Sequence, residues 1–299
     1  MTAPFALRTV LKPYPHTEAV RRGELTRPEV VLDVQEVNPV HKAFAPMVRE
    51  EAYDLCELAV VTALQAVVYE RPVVLLPVVV ASRFQRGCII ARRVDGVPSP
   101  DELVGKRIGV RSYTQTTGMW VRAHLAADAG VRVEDVSWIT QDPPHVEQYR
   151  DPAWVTRVGK NRSLEDMLRD GEIDAAILGN DLPQSEEFIP VFTDAAARDR
   201  AWWERHGFMP VNHMVVAGQS AATDHPQAVR AAFELLREAD SRVTRDAGAP
   251  SPTMFGFERL REPLDIIIDT CMTQGLLPRR PSVDEVFAPA RHILGRSGD

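Results

Sequence analysis

The chain has 299 residues, 44% hydrophobic and 26% charged, the composition of a globular protein near the size at which one core splits into two. A formal net charge of −7 gives no overall basic balance for gripping nucleic acid. No apolar run reaches the roughly 18 residues of a membrane span, and the first residues lack the apolar core of a signal peptide, so a cytoplasmic protein without a membrane partner is expected.

In chain order, residues 6–11 read as a first strand and 12–28 as a polar loop, with Tyr14, His16 and Thr17 just past the strand end. Aromatics and histidines so placed can point into a cleft; a solvated loop is the other reading of His16. Residues 30–37 alternate as a second strand, 40–49 form a short helix, 53–58 a third strand and 59–68 an alanine-rich buried helix. The valine-rich run 73–80 is expected to bend or end at Pro77. Arg83 and Arg86 precede a strand at 88–91. A guanidinium entering a cleft can grip a carboxylate through two parallel bonds; two surface arginines are the other reading.

The stretch 103–123, LVGKRIGVRSYTQTTGMWVRA, reads as a strand at 106–110, a polar loop and a helix ending near Gly130, with Thr114 or Thr116 as N-cap. Free first-turn N–H groups and the helix dipole favour an anion there. Thr116 and Thr117 add hydroxyls, and Arg111 and Arg122 add cations. This corner suits a small carboxylate, although an ordinary capped helix after an ordinary strand has the same local pattern. Residues 133–139 read as a strand and 140–159 as an irregular excursion. Ser163 caps a helix reaching Arg169, and GEIDAAIL at 171–178 is a turn and a buried strand leading into a loop at Asp181. Residues 189–192 make a strand, 194–205 a charged helix, and 207–216 a loop entering a strand that carries His213. Helices follow at 225–243, 255–271 (broken at Pro263) and 282–294. Alternating strands and helices argue an α/β fold with mainly parallel sheets, where ligands sit beyond the strands' carboxyl ends. Cys56, Cys88 and Cys271 are far apart and form no CxxC pair, so neither a disulfide framework nor a metal site is expected.

Glu57 after Tyr53 and Asp54, the arginine stretch 83–86, GKRIGV, the spacing of Thr116, Trp120 and Arg122, GEIDAAIL, and Pro210 followed by His213 occur in that order. Together, over roughly residues 44–240, they resemble the 4,5-dihydroxyphthalate decarboxylase family. The resemblance implies a two-lobed, type-2 periplasmic-binding-protein-like α/β fold with a ligand cleft between the lobes. One lobe would be built from 1–92 and 193–299, the other from 93–192. It implies a cofactor-independent decarboxylase of a hydroxylated aromatic carboxylic acid. The expected substrate contacts are Arg83, Arg86, Thr116, Thr117, Trp120, Arg122 and Asp181. His213 is the expected proton donor, Glu57 a base or the partner that orients an arginine, and His16 the second histidine near the cleft. Gly87 stands where the family carries histidine. Two other functions fit the same fold: a non-catalytic binder of small carboxylates, and another cytoplasmic lyase such as a chorismate-dehydratase-like enzyme. The expected partner is a small aromatic carboxylate, and a homodimer is compatible with the sequence.

Overall fold

The computed structural model describes residues 3–95, 99–179, 182–246 and 248–299. Their strands, in chain order, are β1 (Phe5–Val10), β2 (Val30–Val34), β3 (Leu55–Ala59), β4 (Val73–Ser82), β5 (Ile89–Arg92), β6 (Arg107–Val110), β7 (Ser137–Thr140), β8 (Val155–Arg157), β9 (Ala175–Ile177), β10 (Phe188–Pro190), β11 (Val211–Gly218) and β12 (Met254–Phe255). They form two six-stranded sheets, one in the order β12-β4-β11-β3-β1-β2 and the other β10-β5-β9-β6-β7-β8. β1, β2 and β3 are parallel, as are β6, β7, β8 and β9, while β11 runs antiparallel between β3 and β4. The result is a two-lobed α/β fold with helices packed on both sheets. The chain passes between the sheets after Ser82 and again after Pro190. β5, expected in the first lobe, pairs with β9 and β10, so the first passage precedes Ile89 instead of following position 92.

Local rules account for most element ends. Ser163 Oγ accepts the Asp166 N–H at 3.0 Å and opens the helix Leu164–Arg169. Gly130, at φ +68°, closes the helix Thr116–Ala129 in the left-handed conformation that glycine adopts without strain. The N-cap of that helix is Gln115 instead of a threonine, and no side chain caps it.

Two prolines behave differently from expectation. β4 runs through Pro77, because its register with β11 shifts between Met214 and Val216, and a bulge tolerates the missing N–H. Pro263 does not break its helix. It lies in the first turn of Arg261–Thr273, where its N–H would have no intrahelical acceptor.

The helix Thr116–Ala129 joins the lobes through buried side chains. Trp120 Nε1 donates to the Val211 carbonyl at 2.7 Å, at the start of β11. Arg122 Nε donates to Gln274 Oε1 at 2.7 Å, and its guanidinium lies 4.1 Å over the Tyr113 ring. Arg86 is buried too. Its Nε donates to Asp128 Oδ2 and its Nη1 to Asp199 Oδ1, both at 2.7 Å, which ties this helix to Ala195–His206. Arg86→Ala would leave the Asp199 carboxylate buried without its cation. It should lower unfolding stability by about 3–5 kcal/mol, measured by urea denaturation. A variant as stable as the parent would contradict this role.

Candidate active site

The carboxyl ends of the parallel strands of both sheets open onto one cavity of about 830 Å³ between the lobes. Lys12 follows β1, Glu36 follows β2, and Ala59 ends β3. Opposite them Arg111 follows β6, Gln141 follows β7, and Leu178 and Gly179 follow β9. A second cavity of about 580 Å³ lies within the first lobe and is lined by His16, Val80 and Arg245 among others. Lys12, Val40, Arg83, Asn212 and His213 line both cavities, so His213 stands at their shared boundary.

Strand register sets the chemistry of that boundary. Glu57 on β3 lies opposite Val215 on β11, and His213 is two residues along β11, so the two side chains are diagonal neighbours on one sheet face. His213 Nδ1 is 2.5 Å from Glu57 Oε1. The Tyr14 hydroxyl donates to the same oxygen at 2.7 Å, and the Lys12 N–H donates to Oε2 at 2.9 Å. Glu57 has no solvent exposure. Burial pushes its pKa up, but the hydrogen bond and charge of His213, with the Lys12 and Tyr14 donors, outweigh burial and hold the carboxyl below its ordinary value. An ionised carboxylate only accepts, so His213 carries its proton on Nδ1, and Nε2 is the ring nitrogen left for a ligand. Burial, then the Glu57 charge, raises the Tyr14 pKa, which keeps its hydroxyl a donor.

Of the expected substrate contacts, Arg83, Thr116 and Thr117 line the cleft. Arg83 Nη2 donates to Thr117 Oγ1 at 2.7 Å, and Thr116 Oγ1 accepts the Val61 N–H at 3.4 Å, so both threonines also bridge the lobes. Arg86, Trp120 and Arg122 line neither cavity. Arg86 donates to Asp128 and Asp199, Trp120 to the Val211 carbonyl, and Arg122 to Gln274 and the Tyr113 carbonyl. His16 faces the smaller cavity, buried, with Nε2 2.9 Å from the Val80 carbonyl and its ring stacked on Tyr14. Glu57 orients His213, not an arginine. Asp181 lies outside the described residues.

Sequence reasoning does not single out Lys12, His41 and His145; it reads Tyr14 only as a loop aromatic able to point into a cleft and Arg111 only as a nearby cation. Lys12 and Arg111 each follow the last residue of a parallel strand within two positions, so the strand-end rule points at both. His41 and His145 carry no such signal. Among the described residues no cluster of three or more histidine, cysteine or acidic side chains could hold a metal ion, and no helix is long and apolar enough to cross a membrane.

No protein-family model matches the chain. Over an alignment of 316 positions, gaps included, which covers 91% of this chain and 96% of its counterpart, it is 27% identical to the 4,5-dihydroxyphthalate decarboxylase of Comamonas testosteroni. The chain resembles the 4,5-dihydroxyphthalate decarboxylases. A second protein of that name, from Pseudomonas putida, is 32% identical over 137 residues, 43% of this chain and 53% of that one. Among solved structures, the alkanesulfonate-binding protein SsuA from Xanthomonas axonopodis pv. citri, bound to MOPS, matches with a TM-score of 0.60 at 14% identity, covering 96% of this chain and 99% of that one. The aliphatic sulphonate-binding protein SsuA of Escherichia coli matches with a TM-score of 0.52 at 13% identity, over 96% and 79%. These likenesses show the periplasmic-binding-protein-like fold.

Two buried histidines give the molecule a pH dependence. Burial, then the charges of Arg111, His41 and Arg49, holds the pKa of His145 down to about 4. Burial, then Arg86, holds that of His124 down to about 3. In the unfolded chain both take up protons near pH ~6.5. The unfolded state thus binds more protons below that value, so stability is full above it and falls as pH drops toward the folded-state values. Urea unfolding between pH 7.5 and 4.5 should show this slope, and His124→Phe should flatten it. The same slope in the variant would show that His124 does not contribute.

Proposed function

We propose that this protein is a cofactor-independent decarboxylase of a hydroxylated aromatic carboxylate resembling 4,5-dihydroxyphthalate. The observation that carries the reading is the Glu57–His213 pair at the boundary of the interlobe cleft, 2.5 Å apart, in a chain that resembles enzymes of that name. A binder needs only donors to its ligand. A titratable imidazole backed by a buried carboxylate supports proton transfer instead.

The reaction exchanges carbon dioxide for a proton. A ring hydroxyl para to the departing carboxylate raises electron density at the carbon that bears it. His213, as imidazolium, delivers its Nε2 proton to that carbon, forming the C–H bond. The C–C bond then breaks, its electron pair restores the aromatic ring, and carbon dioxide leaves. The hydroxylated ring is its own electron sink, so this sequence needs no further carrier of electrons. Neutral His213 regains a proton from solvent. Glu57 touches no ligand; it fixes the imidazole's orientation, as a buried carboxylate does behind a general-acid histidine. Arg83, with Thr117, holds a carboxylate at the same boundary.

The test is incubation with hydroxylated benzoates and phthalates in heavy water. Carbon dioxide should be released, and deuterium should appear on the carbon that lost its carboxyl group. His213→Gln should lower turnover by ~10²–10⁴-fold while substrate binding changes little, because the proton moves only in the transition state. His16→Gln should retain turnover. Unchanged turnover in His213→Gln would remove His213 from the mechanism, and no carbon dioxide release from any member of the panel would remove the activity.

A further inference from the structure

The turn that follows β1 is held together as one unit. Thr17, with no solvent exposure, accepts the Tyr14 N–H on Oγ1 at 2.9 Å and donates the same hydroxyl to the Lys12 carbonyl at 2.7 Å. The Thr17 and Glu18 N–H groups both donate to the Tyr14 carbonyl, at 2.9 and 3.0 Å. The Tyr14 ring stacks on that of His16, with centroids 5.1 Å apart. These bonds fix the backbones of Lys12 and Tyr14 together, and both residues then reach Glu57. The Lys12 N–H meets Oε2 and the Tyr14 hydroxyl meets Oε1. With one donor from the turn on each oxygen, the carboxylate plane is held against rotation about its last side-chain bond.

Oε1 is also the atom that holds His213 Nδ1. The imidazole has a second support in the Phe44 ring, which meets it edge to face with centroids 5.3 Å apart. An apolar ring contact limits tilt, but it does not distinguish the nitrogen side of an imidazole from its carbon side. The carboxylate makes that choice, because an ionised carboxylate only accepts and Nδ1–H is the donor facing it. The direction of Nε2 is therefore set by the position of Oε1, and Tyr14 holds Oε1 from the other side.

We propose that Tyr14 is a positioning residue for the proton donor: through Glu57 Oε1 it fixes the orientation of His213, and Thr17 fixes Tyr14. The catalytic part of the proposal rests on the decarboxylase reading; the hydrogen-bond chain from Thr17 through Tyr14 and Glu57 to His213 does not. Tyr14 gives up no proton. Burial and the Glu57 charge keep its hydroxyl protonated, and it works as a fixed donor. Delivery of a proton to a ring carbon needs Nε2 within a narrow range of angles, so a misplaced imidazole costs rate more than it costs binding.

Proton NMR of the intact, ligand-free protein tests the chain without turnover. An imidazole N–H held by a carboxylate gives a low-field resonance, and the His213 Nδ1–H signal is identified by its loss in His213→Gln. Tyr14→Phe keeps the stacked ring and removes only the hydroxyl; it should move that signal upfield or lose it to exchange with water. Thr17→Val leaves Tyr14 and Glu57 in place and should move the signal the same way by less; it carries the test should Tyr14→Phe not fold. On a substrate that releases carbon dioxide, Tyr14→Phe should lower kcat roughly 10-fold and change benzoate binding by less than about 3-fold. In a Glu57→Gln background the same substitution should cost nothing further, because a residue that acts through another is silent once that one is replaced. An unmoved or downfield-shifted signal, an unchanged kcat in Tyr14→Phe, or equal losses of kcat in both backgrounds would overturn the proposal. If the signal moves as expected but no hydroxylated benzoate or phthalate releases carbon dioxide, the positioning chain stands and the catalytic reading falls.

Discussion

A carboxylate with no solvent exposure is expensive unless every lone pair finds a donor, and Glu57 meets that demand with three donors from two separate places in the chain. The Lys12 N–H and the Tyr14 hydroxyl come from the turn after β1, and the His213 imidazole comes from β11, 156 residues after Glu57. The requirement to satisfy one buried charge thereby fixes the loop that carries Lys12 into the cleft and the ring orientation of the histidine at its boundary. Removing any of these donors would leave part of a buried charge unanswered, so the polar centre of the site is also a structural constraint on the first lobe.

The second lobe reaches the same region through its first long helix. Trp120 holds the Val211 carbonyl, one residue before Asn212 and two before His213, while Thr117 holds Arg83. Thr62 and His145 meet at 2.9 Å from opposite sides of the cleft, and Arg49 donates to the backbone carbonyls of Pro144 and His145. These bonds keep the lobes against each other and hold the entry to β11 in place. Trp120 thus serves the site without lining it.

The cations show where sequence reasoning reaches its limit. Arg83 and Arg86 are three residues apart in one polar stretch. Arg83 lines the cleft and Arg86 is buried, because the fold brings Asp128 and Asp199 to the second and a threonine hydroxyl to the first. Arg111 and Arg122 present the same contrast. Arg111 stands at a strand end beside His41. Arg122 is turned into the interior, where burial lowers its pKa and the rings of Tyr113 and Trp138 lie under the guanidinium at 4.1 and 5.3 Å. No property of the adjoining residues separates these cases, since most of the partners that decide them lie tens of residues away.

Local order and periodicity determined the α/β class, most element positions, the Ser163 and Gly130 helix ends and the strand-end location of the cleft. These depend on side-chain alternation, capping and chain direction, all of which act within a few residues. Glu57 and His213 were also visible as candidates, each through its place in an ordered set of motifs. Their pairing was decided only by the tertiary structure, through the register of β3 against β11. So were the burial of Arg86, Trp120 and Arg122 and the meeting of His41 with Arg111 across the cleft. A charge pairs with whatever the folded chain places within about 4 Å of it. That neighbourhood is set by strand order and by the packing of two lobes, neither of which has a signature in the adjoining sequence.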